Sequence, residues 1–126
     1  MSYRITGKVT EKETGKGIPD LQVKGWDKDL SNLDELLGTA RTDEKGKFLI
    51  EYTEEAFDEW GIDEKPDIFL VISNQKGAII YTSEAAVRVN AGKEERFDIQ
   101  ISRDLLKQEP DISYEEFMER FKEQLE

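Results

Sequence analysis

Tyr3, Ile5, Gly7 and Val9 alternate with Arg4, Thr6 and Lys8, the two-residue period of a strand with one buried face. The period returns in Leu21, Val23 and Gly25 and in Phe97, Ile99 and Ile101, and further strand segments are read over 38–42, 47–52 and 78–82. Ile68, Phe69, Leu70, Val71 and Ile72 are apolar at every position. That run predicts a central strand buried on both faces. Turn chemistry separates the segments: Gly15 and Gly17 ahead of Pro19 and Asp20, Gly46 closing the turn over 43–46, and the polar stretch 74–77. Seven strands joined by such turns predict an all-β fold, a seven-stranded antiparallel β-sandwich.

Two segments change period. Thr53 is placed to cap a short helix after the fourth strand, over 54–60, with Ala56, Phe57 and Trp60 on one side and Gly61 ending it. Ser113 and Glu116 form a capping box, and Tyr114, Phe117, Met118, Phe121 and Leu125 then share one face of a C-terminal amphipathic helix. A helix this short is marginal alone in water, so its apolar face needs a surface to cover. Trp26, Leu49, Phe69 and Val71 point away from the core set on the strand pattern and are expected to form that surface if their strands are neighbours. Docking within the chain and docking on a second subunit or a protein partner both fit. The expected organisation is a sandwich over 1–101, with a linker and the helix over 102–126.

Composition narrows the function classes. The chain has 126 residues, one domain's worth, with 37% apolar and 37% charged positions and a formal charge of -11. That field repels phosphate backbones, and no dense Lys/Arg cluster offsets it, so no nucleic-acid role is expected. It would instead draw cations or basic protein surfaces. The absence of Cys removes disulfides and thiol chemistry, and the absence of His removes the commonest general base and the usual zinc and iron ligand sets. No apolar stretch approaches a membrane span or a signal peptide. The chain as given reads as soluble and cytoplasmic, or extracellular or periplasmic had an export signal been trimmed from it.

Gly7-Lys8-Val9-Thr10, the stretch Thr14-Gly15-Lys16-Gly17-Ile18-Pro19-Asp20-Leu21-Gln22-Val23, and Thr42-Asp43-Glu44-Lys45-Gly46-Lys47-Phe48 resemble the carboxypeptidase regulatory-like domain of the transthyretin (prealbumin-like) superfamily. The resemblance runs loosely over 3–101 and implies a prealbumin-like (Ig-like) sandwich. Its motifs mark a strand, a turn and a hairpin, and so speak to fold more than activity. Among related frameworks, intradiol dioxygenases hold iron with Tyr and His, and hydroxyisourate hydrolases depend on His and a C-terminal Tyr-Arg-Gly-Ser signature. This chain has neither the His nor the signature. The resemblance therefore implies a non-enzymatic accessory, scaffolding or binding module.

The acidic loop over 27–35 offers a second class of function. Asp27, Asp29 and Asp34, with Asp43 as the nearby candidate to complete the set, are the oxygen ligands a Ca²⁺ ion accepts in irregular geometry. A solvated acidic loop is the plainer reading, and no other cofactor is expected. A hydrolase working through two carboxylates would need a cleft holding them at fixed separation, which no spacing here predicts. The candidate interface residues are Trp26, Phe69, Val71, Tyr114, Phe117, Met118, Phe121 and Leu125.

Overall fold

A computed structural model describes residues 2–29, 34–57 and 65–110. They contain β1 (Ser2–Glu11), β2 (Gln22–Asp27), β3 (Glu35–Arg41), β4 (Lys47–Thr53), β5 (Ile68–Ser73), β6 (Ile79–Thr82) and β7 (Glu94–Ile101). A three-stranded sheet in the order β4-β1-β7 faces a four-stranded sheet in the order β3-β2-β5-β6. The chain is thus an all-β sandwich, as the alternation predicts, and β5 lies inside its sheet.

Two expectations need correcting. The sandwich is not wholly antiparallel: β1 and β7 run parallel, from Arg4 opposite Glu94 to Glu11 opposite Ile101. These strands come from opposite ends of the chain, so no hairpin fixes their relative direction. After β4 the described chain makes a single 3₁₀ turn, Glu54–Ala56, in which the Thr53 side chain forms no cap bond. Trp60 lies outside the described residues. So do Tyr114, Phe117, Met118, Phe121, Leu125 and the helix predicted around them. Among the described residues no helix is long and apolar enough to cross a membrane.

The inward residues of both sheets form one core. Ile5, Val9, Ile50 and Ile99 meet Val23, Ile68, Leu70 and Ile72 across it, and each such side chain contributes about 1.5–3 kcal/mol when fully buried. The buried Thr42 hydroxyl donates to the Ile18 carbonyl (2.7 Å) and accepts from the Leu21 N–H (3.0 Å). This bond pair ties the entry of β2 to the exit of β3.

Three backbone segments converge beside it. The Val9 N–H donates to the Gly46 carbonyl (2.8 Å), and the Ile18 N–H to the Val9 carbonyl (3.0 Å). Gly46 has a φ of +80°, and a side chain there would overlap the Val9 carbonyl oxygen. Glycine is required at this crossing both for its conformation and for its size.

The segment after β7 is fastened to the sandwich. Glu13 accepts from the Ser102 hydroxyl (2.8 Å) and the Arg103 N–H (3.1 Å), while Leu105 and Leu106 pack against the core.

Gly46→Ala is expected to cost about 2 kcal/mol or more, because strain and overlap act together. Gly77→Ala, at φ +88° with open space around it, should cost only about 1 kcal/mol. Urea denaturation of the two variants beside the parent chain checks this; equal losses would show that the crossing is not crowded.

Candidate functional site

The outward positions of the four-stranded sheet form ordered rows. Leu36 stands opposite Trp26, and Trp26 opposite Phe69; the next row sets Lys24 opposite Val71, and the next sets Gln22 opposite Ser73 and Ser73 opposite Ile79. Phe69 is only 4% exposed yet is not part of the central core cluster. Its neighbours Ile68 and Leu70 take the inward side of β5, so its ring lies on the outer face. Lys28 Nζ lies 5.8 Å from the centroid of that ring, a cation–π approach.

Trp26, Phe69, Val71 and Ile79 line a shallow groove of about 270 Å³, with Lys24, Asp34 and Ser73 around them. Leu36 is 45% and Ile79 61% exposed. The structure thus brings together Trp26, Phe69 and Val71, three of the residues singled out from the alternation. Leu49 does not join them. It sits on β4 in the opposite sheet, 46% exposed, so the expectation that it shares their surface is corrected.

Leu36, Lys24 and Ile79 were not singled out from sequence. A register shift between Gly25 and Trp26 along β3, and another between Ile72 and Ser73 along β6, alter which residues stand beside Trp26 and Ser73. A bulge of this kind has no marker in a two-residue pattern.

Asp27, Asp29 and Asp34 lie at one end of the four-stranded sheet and Asp43 at the other. Asp27 is the last residue of β2 and comes after Val23 and Gly25 on the inward side, where its Oδ1 accepts from the Asp67 N–H (2.9 Å). Burial pushes its carboxyl up to about 6, opposed by the Asp67 N–H bond and reinforced by the carboxylates of Asp67, Glu35 and Asp29. Asp34 accepts from the Asp29 N–H (2.8 Å) and lies 3.6 Å from Lys28, which also bonds Glu84 (2.6 Å).

Asp43 is elsewhere. It staples its own hairpin turn by accepting from the N–H groups of Lys45 and Lys47 (2.9 Å each), and these bonds, the one from Lys47 foremost, hold its carboxyl below the ordinary range. The register sets Gln22 opposite Arg41, so Asp43 lies beyond the far end of β2 from Asp27, on the order of 17 Å away. Among the described residues no three acidic side chains converge in a way that could hold a metal ion. The groove itself carries one carboxylate, Asp34, which is paired with Lys28, so no acid–base pair of carboxylates is assembled there.

No protein-family model matches the sequence, and no curated protein sequence matches it. The fold is similar to solved structures. A 9R-lipoxygenase from Cyanothece PCC8801 aligns with a TM-score of 0.54 at 21% identity, over 88% of this chain and 18% of that one. An (S)-allantoin synthase aligns with a TM-score of 0.54 at 9% identity, over 80% of this chain and 40% of that one. An intradiol ring-cleavage dioxygenase from Tetranychus urticae gives 0.51 at 12% identity, over 88% and 84%. At these identities the likeness shows the fold alone. The chain spans less than half the length of the first two proteins.

The elevated Asp27 pKa has a defined consequence for stability. The folded chain holds this proton at a pH where the unfolded chain, with an ordinary value of 3.8, has released it. The stabilisation is therefore complete below about pH 4 and lost as pH rises through about 6. Asp27→Asn should be more stable than the parent at pH 7, and the difference should vanish near about pH 3.5. Denaturant midpoints at both pH values check this; a variant weaker than its parent at pH 7 contradicts it.

Proposed function

We propose that this chain is a non-enzymatic docking module on a prealbumin-like (Ig-like) sandwich, holding an amphipathic protein segment against the outer face of its four-stranded sheet. The observation that carries this reading is the apolar row Leu36, Trp26 and Phe69, continued by Val71 and Ile79. Leu36 and Ile79 are exposed at its two ends, with Trp26 and Val71 half-buried and Phe69 buried between them, and an apolar groove of this kind on a folded domain marks a contact site. The groove is too shallow to enclose a small molecule and suits a helix or strand laid along it. The lack of His and Cys agrees with binding rather than catalysis.

The test is chemical-shift mapping on the full chain during titration with a synthetic amphipathic helical peptide. Shifts should concentrate at Lys24, Trp26, Phe69 and Val71, and Val71→Glu should weaken binding about tenfold or more, as loss of a central apolar contact does. Shifts centred on Leu49, or an affinity indifferent to Val71→Glu, would contradict the reading.

A second reading, a Ca²⁺-binding module, has one observation in its favour: burial foremost, and then the carboxylates of Asp67, Glu35 and Asp29, disfavour the charged form of Asp27. A hard cation would relieve that repulsion. Calorimetric titration with Ca²⁺ would then give saturable heat in the parent and none in Asp27→Asn; no heat at millimolar ion excludes it.

A further inference from the structure

The C-terminal segment is delivered to one end of the docking face. Asn74, in the turn between β5 and β6, is only 4% exposed. Its Nδ2 donates to the carbonyls of Gln108 (2.8 Å) and Leu105 (3.4 Å), and its Oδ1 accepts from the N–H groups of Lys76 (2.9 Å) and Ala78 (3.0 Å). Lys76 adds an ion pair with Glu109 and a bond to the Lys107 carbonyl (3.3 Å). The chain therefore crosses from β7, in one sheet, to the β5–β6 turn of the other. Pro110 leaves from that turn, where Ser73 and Ile79 begin the groove.

The sequence beyond Pro110 matches the groove in length and character. The helix predicted over 113–125 would be about 20 Å long, and the six residues of β5 span about 20 Å. Tyr114, Phe117, Met118, Phe121 and Leu125 share one face of it. Residues 111–126 carry six carboxylates and two basic side chains, while Lys24, in the middle of the face, makes no ion pair with a described residue. Asp34 on the same face is already paired with Lys28, and charges farther off are largely screened beyond about 8–10 Å, so Lys24 is left as the local charge an acidic segment can meet.

We propose that residues 113–125 of this same chain occupy the outer face, running antiparallel to β5 with Tyr114 toward Ile79 and Leu125 toward Leu36 and Trp26. This inference rests on the docking reading and names the first occupant of the face. Tethering gives the segment a local concentration in the millimolar range, so even a weak contact is populated. An external segment then binds by displacing it, which makes the tail a built-in competitor.

The absence of Cys makes disulfide trapping a clean test in the full chain. Val71→Cys with Met118→Cys reports the middle of the face, and Leu36→Cys with Leu125→Cys reports its far end at an exposed position that tolerates substitution. Leu49→Cys with Met118→Cys, on the opposite sheet, is the control. Under mild oxidation either groove pair should close within one chain at least about tenfold faster than the control, a margin expected from proximity. Groove pairs that close no faster than the control, or that link only separate chains, overturn the proposal. Peptide shifts that still map to Lys24 and Val71 in that case would leave the docking reading standing with an external occupant alone.

Discussion

The outer face of the four-stranded sheet depends on the antiparallel pairing of β2 with β5, which sets Trp26 opposite Phe69 and Lys24 opposite Val71. Side chains alternate along a strand, so this register sends Val23, Ile68, Leu70 and Ile72 inward and the intervening residues outward. A slip of one residue would bring the Lys24 ammonium among fully buried aliphatic side chains and expel the core set to water. The core thereby enforces the composition of the outer face. Because β5 is apolar on both sides, satisfying its inner face leaves an apolar stripe outside.

The two ends of that sheet do different work. At one end β2 closes with Asp27 on the inward side, where burial favours the protonated carboxyl. The buried Tyr52 hydroxyl, which has no hydrogen-bond partner among the described residues, is pushed up by burial and by Tyr3, Glu95 and Asp27. A buried hydroxyl without a compensating bond marks a place where the sandwich gives up some stability. At the other end Asn74 uses both its donor and its acceptor to hold the turn and the segment after β7 together. Asn74, together with Lys76, thus fixes where the C-terminal segment departs from the domain.

The two-sheet sandwich was legible because two-residue alternation is a direct imprint of a half-buried strand, clear in β1 and in β7. The parallel pairing of β1 with β7 was not, since it joins residues about ninety positions apart with no turn to announce it. Trp26, Phe69 and Val71 could be placed on an outward face by parity alone. Leu36 and Ile79 sit beside register shifts, where parity gives the wrong neighbours. The acidic stretch misled for a related reason: Asp27 reads as the start of a loop, but it completes β2 and takes the inward side. Asn74 looked like an ordinary turn residue, and its burial becomes visible only when residues 105–108 arrive against it.

The most direct measurement is the stability of the full chain carrying Glu on either outer face, Val71→Glu in the four-stranded sheet against Leu49→Glu in the three-stranded one, by denaturant titration. A covered docking face should make Val71→Glu cost about 2 kcal/mol, because an apolar contact is lost and a carboxylate is desolvated even with Lys24 opposite it. The solvated face should keep Leu49→Glu within about 0.5 kcal/mol of the parent. Equal, small losses at both positions would mean that both faces are ordinary solvated surface and would contradict the account.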